Sequence, residues 1–497
     1  MDIRTQEEIE ETMPDTFQNF INGAWADSSS GQTHPSVNPA DTSDVIAEFQ
    51  SSTPEDADAA VNAASEAART WGRMSAVARG GYLLKAANWL QQNAEEYAQA
   101  LSRECGKGIG ESRGEIGRAV AILQYYGVEG MNPIGDVVPS ANPNMLLYTT
   151  REPLGVVGLI TPWNFPYAIP IWKMAPAMIY GNTIVLKPAS ATPHMGALIA
   201  RMWQEAELPP GVFNVVTGSG RNVGDPIVTH PKVRGISFTG SGAIGQGIAV
   251  AAAKRNIKYQ LEMGGKNPVI VMPDPDLEQA AEITVGGAMK YAGQKCTATS
   301  RAIIAGDGRE FTDLVVQKVN ALKVGPGSDP DNVVVPVIDR AARDRIKSAI
   351  DAGVDAGANL LTGGDVLESG EYGKGHYVQP TVFDNVRPDA FIAQEEIFGP
   401  VLSIIPAGSA DDAIDIANGV PYGLSASIFT KNLNASLEFA NRIEAGIVKV
   451  NSETAGLEPQ VPFGGMKESS SGSREQGKAA MEFFTETKTI YVDRSAT

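Results

Sequence analysis

The spacing of apolar positions changes along the chain, and the change marks out its organisation. From 54 to 103 they recur at helical spacing in an Ala-rich stretch, with Trp71, Leu83, Leu84, Trp89, Leu90 and Leu101 as candidates for burial. From 154 onward, short β-branched runs alternate with helical ones. Strands are predicted over 154–160, 183–187, 212–216, 235–238 and 258–261, with helices over 171–179, 194–206 and 245–254. A second series follows: strands over 269–272, 301–305, 401–405 and 446–450, and helices over 276–292, 309–322, 340–356 and 410–418. The run 483–492 reads as a last strand after the Gly/Ser-rich turn 469–473, and residues 1–20 as an acidic lead-in or a short helix. Strands that are apolar throughout, alternating with helices, imply an α/β fold with a parallel sheet covered on both faces. No internal repeat or low-complexity tract is evident.

At 497 residues the chain should form two or three packed units. A hydrophobic fraction of 43% with 20% charged residues is that of a soluble globular protein. The net charge of −18 argues against nucleic acid or an anionic membrane as partner, and also suits a host with high internal salt. Two cysteines without CxxC spacing fit a reducing cytoplasm and leave no disulfide framework or zinc motif. Four scattered histidines argue against a His-based metal site or triad, so no metal is expected. The acidic N-terminus lacks the apolar core of a signal peptide, and apolar stretches are broken before they could span a bilayer.

Against that background the chemistry-bearing residues gather in a few motifs. Cys296 lies in Gly-Gln-Lys-Cys-Thr-Ala (293–298), a small-residue turn next to a helix, where free backbone N–H groups can stabilise a thiolate. Glu262 sits in Leu-Glu-Met-Gly-Gly-Lys-Asn-Pro (261–268), a carboxylate in a largely apolar run. Asn164, in Thr-Pro-Trp-Asn-Phe-Pro (161–166), offers an amide donor in a Pro-braced loop. Thiol, carboxylate and fixed donor are the parts of covalent acyl chemistry. Gly240 to Gly245 match G-x-G-x-x-G between a predicted strand and a helix, as in dinucleotide sites. Extending that pattern makes Glu262 a ribose-binding acid, whereas the thiol's needs make it a general base. Residue pattern alone leaves the two assignments open.

The chain resembles the aldehyde dehydrogenase superfamily from about residue 17 to its end. The resemblance is carried, in order, by 161–166, Lys-Pro-Ala-Ser (187–190), Phe-Thr-Gly-Ser (238–241), 261–268, 293–298, Glu-Glu-Ile-Phe-Gly-Pro (395–400) and Pro-Phe-Gly-Gly (462–465). It implies a Rossmann-like dinucleotide-binding domain (1–130 and 154–263), an α/β catalytic domain (264–479) and a β-strand oligomerisation arm (131–153 and 480–497). It implies Cys296 as nucleophile, Glu262 as general base and Asn164, with the Cys296 backbone N–H, as oxyanion hole. Thr161, Pro162, Trp163, Lys187, Ser190, Gly240, Ser241, Glu396 and Phe398 are implied to bind the cofactor. Lys187 would hold the adenine ribose, Ser241 would meet the pyrophosphate and Glu396 would grip the nicotinamide ribose. A homodimer or homotetramer is implied. Lys173, Gly465 and Glu475 also match family patterns, with a structural reading open for each. Cys105 reads as structural.

Within that superfamily the segments 451–477 and Ile169-Pro-Ile-Trp-Lys173 look most like α-ketoglutarate semialdehyde (2,5-dioxopentanoate) dehydrogenases. Succinate semialdehyde enzymes commonly carry Arg where this chain has Trp172. Phe165, Trp172 and Lys290 are the substrate-binding candidates, with Lys290 expected to receive an anionic tail. NAD-preferring relatives often place Glu at position 190; Ser190 with Lys187 nearby implies that NADP⁺ is accepted or preferred alongside NAD⁺. Succinate semialdehyde or broad specificity, a CoA-acylating enzyme and a non-catalytic binding protein remain as alternatives.

Overall fold

The β-branched runs pair in parallel where both of their faces are apolar. The computed structural model describes residues 15–496. In it, Val156–Ile160, Thr183–Lys187, Phe213–Val215, Val233–Thr239 and Lys258–Glu262 are the parallel centre of an eight-stranded sheet. Antiparallel strands close its edges: Asn19–Ile21 and Ala24–Ala26 on one side, Ser470–Ser471 on the other. From Val156–Ile160 the chain first winds outward through 183–187 to 213–215, then returns to lay 233–239 and 258–262 on the opposite flank. The order therefore reverses between Val156–Ile160 and Val233–Thr239. That switch point leaves a crevice beyond the carboxyl ends of these two strands, the usual ligand position in open α/β sheets.

A seven-stranded sheet follows, in the order 359–362, 381–384, 401–407, 299–305, 267–271, 425–429, 447–450. All its pairings are parallel except that of Asn359–Thr362. A third sheet stands apart. Its long pair runs from Thr485 opposite Pro153 to Asp493 opposite Met145, with Val137–Val138 added at the edge. Val137 and Tyr491 on it are 77% and 68% exposed, unusual for apolar side chains of that size.

The helical stretch 54–103 is three helices, Pro54–Trp71, Ala76–Gln92 and Ala94–Cys105. Side chains mark their starts: Asp56 accepts from the Thr53 N–H, and Ser75 accepts from that of Ala78. The helix Ile109–Glu129 carries several glycines that weaken its sequence signal. One of them, Gly127, serves packing: a Cβ there would lie 2.6 Å from the Leu84 side chain, and a Cβ on Gly80 would lie 2.1 Å from the Gly127 carbonyl oxygen, so this helix and Ala76–Gln92 can meet so closely only with glycine at both positions. Two expectations are corrected. Residues 16–21 form the strands Thr16–Phe17 and Asn19–Ile21, with Phe17 stacked on Phe49; the rest of the predicted lead-in, 1–14, lies outside the described residues. The last strand begins at Thr485, after the short helix Ala480–Phe484. Among the described residues no helix is long and apolar enough to cross a membrane.

Candidate active site

Cys296 is presented by a break in a helix. Leu277–Met289 ends at Met289, and Tyr291, Ala292 and Gly293 follow at φ of 55°, 50° and 67°. Non-glycine residues cost about 1–2 kcal/mol each in this left-handed region, so packing must hold them there. Gly293 is obligatory for a second reason: a Cβ would lie 2.2 Å from the Gly399 carbonyl oxygen. The buried Gln294 amide locks the turn by donating to the Tyr291 and Pro336 carbonyls and accepting from the Ile338 N–H. Cys296 then emerges partly exposed, its carbonyl accepting from Asn267 and its side chain packed among Leu424, Ile447, Leu457 and Phe463. Burial first, and then the carboxylates of Glu396 and Glu262, push its thiol up to about 12. The Thr297 N–H opposes them, so the stabilisation expected from backbone donors is present but outweighed.

Asn164 lies in the loop after Ile160, at the switch point. It is buried, its Oδ1 accepts from the Phe165 N–H, and its Nδ2 donates to the Gln294 carbonyl at 3.0 Å. One bond therefore ties the amide to the turn that presents the thiol. Behind it, Glu115 accepts from the N–H groups of Tyr167 and Ala168, both at 3.0 Å, and anchors the start of helix Ala168–Ile179. The buried Lys107 pairs with Glu115 and stands over the rings of Phe165 and Tyr291.

Glu262 ends the strand Lys258–Glu262, opposite Ser470. Its Oε2 accepts from the Ser470 hydroxyl at 2.5 Å, while its Oε1 is buried without a partner. That bare oxygen faces Gly464, where a Cβ would lie 2.7 Å away and φ is 147°. Burial, and next the charge of Glu475, raise the carboxyl well above its ordinary range. Glu475 itself accepts from Trp172 Nε1 at 2.7 Å and pairs with the buried Lys173, which also donates to Ser237. Lys173, Gly465 and Glu475 all lie in this packing: Gly465 has Ser469 and the Gly423 carbonyl within 3 Å of where its Cβ would be.

The remaining candidates line the switch point. Thr161 and Thr239, at or just beyond the two strand ends, each bury a hydroxyl oxygen without a partner. Gly240 and Gly245 keep their surroundings open: a Cβ on either would strike the Phe238 ring or Met263 sulfur. Ser241 starts the helix Gly242–Arg255, and no side chain caps it. Lys187, lowered to about 8 by burial, spends its ammonium only on the Pro188 carbonyl. Ser190 is exposed and donates to Gly218. Pro162 shapes the loop before Trp163, whose ring meets Phe398 edge-on at 5.5 Å. Glu396 accepts from the Gly265 N–H at 2.9 Å and sits where a Gly264 Cβ would be. Burial brings it to about 7, against that N–H and Lys266. Orphaned hydroxyls, an uncapped helix start and a cradle of glycines fit a phosphate-bearing dinucleotide.

The substrate candidates separate. Phe165 lies beside Asn164 and Trp172 is buried against Phe463, with centroids 5.4 Å apart. Lys290 is exposed at the end of its helix, folded back beside Gly286, and makes no hydrogen bond or ion pair among the described residues. Sequence reasoning missed the Lys107–Glu115 pair, the Gln294 lock and Arg118, whose guanidinium lies 5.5 Å from the Trp172 ring centroid. Their roles depend on contacts between distant segments: Glu115 with Tyr167 and Ala168, Gln294 with Pro336 and Ile338, and Arg118 with Leu457 and Gln476. Among the described residues no group of three His, Cys, Asp or Glu side chains is placed to hold a metal ion.

Residues 25–490 match the model of the aldehyde dehydrogenase family. The chain is 50% identical to an alpha-ketoglutaric semialdehyde dehydrogenase of Bacillus subtilis, over 97% of this chain and 99% of that one. It is 43% identical to an alpha-ketoglutarate semialdehyde dehydrogenase of Haloferax volcanii, over 96% and 99%. A solved NAD-dependent aldehyde dehydrogenase from Sinorhizobium meliloti superposes with a TM-score of 0.94 at 35% identity, covering 97% of this chain and 95% of that one. The likeness runs across nearly the whole length of these enzymes and takes in the segments that carry Cys296, Glu262 and Asn164, and the chain belongs to the aldehyde dehydrogenase family.

Proposed function

We propose that this chain oxidises α-ketoglutarate semialdehyde to 2-oxoglutarate through a thioester on Cys296, using NADP⁺ or NAD⁺. The observation that carries the hydrolytic part is the bare Oε1 of Glu262, a buried acceptor that acts electrostatically on the thiol. The substrate is supported by the names of the relatives from Bacillus subtilis and Haloferax volcanii. The cofactor is supported by the switch-point residues, and its NADP⁺ form by Ser190, whose hydroxyl brings no negative charge against a 2′-phosphate.

The chain's residues divide the work. The Cys296 sulfur, once deprotonated, adds to the aldehyde carbon, and Asn164 together with the Cys296 N–H receives the developing oxyanion. Loss of one such donor typically costs about 10²–10³ in rate. When bound, a dinucleotide would supply the hydride acceptor needed to oxidise the adduct to the thioester level. Thr161, Ser241 and Lys187 would hold its phosphates and adenine ribose, and Glu396 and Phe398 would hold its nicotinamide end. Glu262, kept basic by burial and by Glu475, takes a proton from the water that cleaves the thioester. That base favours hydrolysis over transfer to CoA. The exposed apolar residues of the outlying sheet, Val137 and Tyr491 among them, support its use as an oligomerisation arm in a homodimer or homotetramer.

Steady-state kinetics on α-ketoglutarate semialdehyde, succinate semialdehyde and a neutral aldehyde of equal length, each with NAD⁺ and NADP⁺, test the reading. The highest kcat/KM is expected for α-ketoglutarate semialdehyde and the lowest for the neutral compound. A preference for the neutral aldehyde would remove the semialdehyde assignment.

A further inference from the structure

Arg118 is a half-buried cation whose hydrogen bonds are all to neutral groups. It projects from the helix Ile109–Glu129, donates Nη1 to the Leu457 carbonyl and donates Nη2 to Gln476 Oε1 at 3.1 Å. Its Nε is buried with no acceptor. The carboxylate that acts on it, Glu115, is already engaged by Lys107 and two backbone N–H groups. Gln476 repeats the pattern. With Oε1 taken by Arg118, its Nε2 is likewise buried without a partner. Its backbone is held at a φ of 59°, a region costly for a side chain of that kind. Two neighbouring donors thus lack acceptors, and an incoming group with more than one oxygen could satisfy both.

That place adjoins the thiol. The guanidinium lies over the Trp172 ring, Trp172 meets Phe463 at a tilt of 37°, and Phe463 and Leu457 pack in the same cluster as Cys296. A second cation reinforces it: Lys449 donates to the carbonyls of Ala455 and Gly456, in the segment Arg118 holds at Leu457, and acts electrostatically with Arg118. A neutral aliphatic tail would bring neither donor an acceptor. We infer that Arg118 and Gln476 receive the distal carboxylate of the substrate, with Trp172 and Phe463 as the apolar walls between that carboxylate and the reacting carbon. This inference rests on the proposed reading of the substrate as an anionic semialdehyde. It assigns to these two side chains the role that spacing alone suggested for Lys290.

The test uses two variants and a probe that is not turned over. Arg118→Met removes the charge at similar length. Gln476→Glu keeps the acceptor for Arg118 and replaces the bare N–H₂ with an oxygen that repels an anion. For each, the kcat/KM ratio of α-ketoglutarate semialdehyde to a neutral aldehyde of equal length is measured, so that general damage to folding or chemistry cancels. The ratio is expected to fall about ten- to a hundredfold, the worth of a charged hydrogen bond, chiefly through KM for the anionic substrate. Arg118→Lys should restore part of it. In parallel, glutarate is tested as a competitive inhibitor of neutral-aldehyde oxidation. It should compete in the unsubstituted enzyme, and its Ki should rise by at least tenfold in Arg118→Met. Unchanged ratios in both variants, or glutarate inhibition indifferent to Arg118, would overturn the site even if α-ketoglutarate semialdehyde proved the best substrate. A neutral aldehyde proving best, with glutarate still competing through Arg118, would sustain the carboxylate site and overturn the substrate instead.

Discussion

Replacing Glu115 by alanine probes how the oxyanion loop is held in place. The Lys107 and Glu115 side chains are both wholly buried, at 0% exposure each. Glu115 also accepts the N–H groups of Tyr167 and Ala168, just beyond Asn164 in the chain, and the Lys107 ammonium sits 3.8 Å from the Phe165 ring centroid. Glu115→Ala therefore strands a buried ammonium and two amides together. Breaking a buried pair from one side costs about 3–5 kcal/mol, and the stranded amides place the loss at the upper end of that range. Urea unfolding followed by circular dichroism measures it, with kcat determined at urea concentrations where the variant remains folded. Activity should fall as well, bounded by the roughly 10²–10³ that one oxyanion donor is worth. The double variant Lys107→Met/Glu115→Leu, which removes both charges, should regain most of the pair's cost but not that of the amides. Arg113→Ala, which breaks an exposed pair with Glu95, is the control and should have little effect. If Glu115→Ala were no less stable than this control, or the double variant less stable than Glu115→Ala, the reasoning would fail.

Other consequences can be checked more briefly. Ser190→Glu should shift preference from NADP⁺ toward NAD⁺ by about tenfold or more in the kcat/KM ratio, since a like-charge contact is worth about 1 kcal/mol when exposed and more when desolvated; an unchanged ratio would show that position 190 does not face the adenine ribose. Because the Glu396 carboxylate disfavours the Cys296 thiolate, Glu396→Gln should lower the thiol's pKa and speed its alkylation by iodoacetamide. Glu396 ionises near 7, so the acceleration should grow as pH rises through that value; a rate equal to that of the unsubstituted enzyme at pH 8–9 would contradict the electrostatic account. Asn164→Ala should lower kcat about 10²–10³-fold with cofactor affinity little changed, and a loss confined to KM would remove it from the oxyanion site.

The parts of this molecule that were legible in the sequence are those whose signals are local. Strand and helix periods from 154 onward located most of the two large sheets, because apolar runs between helices have few other uses. Cys296, Glu262 and Asn164 stood out because each lies in a short motif of unusual composition. The helix Ile109–Glu129 is hidden by glycines that look like helix breakers when read alone, of which Gly127 serves its packing against Ala76–Gln92. Trp172 stands out for the arginine it replaces; its bond to Glu475 and its tilted contact with Phe463 depend on segments about three hundred residues further on. Lys290 was suggested by its spacing from Cys296. The left-handed turn at Tyr291 and Ala292 intervenes between the two, and a helical reading of 276–292 does not anticipate it. Arg118 and Gln476 meet only in the fold, and the Lys107–Glu115 pair shows its role only when the fold brings the Tyr167 and Ala168 amides to it.

The central claim is that Cys296 carries the acyl group and Glu262 admits the water that releases it. Glu262→Gln keeps the shape of the side chain but cannot take the proton. Mixed rapidly with α-ketoglutarate semialdehyde and NADP⁺, this variant should give a burst of reduced cofactor followed by slow turnover. Mass spectrometry of the quenched, digested protein should find the acyl group on the peptide containing Cys296. A variant that turns over at the original rate, or one whose Cys296 peptide stays unmodified while Cys105 carries the adduct, would contradict the account.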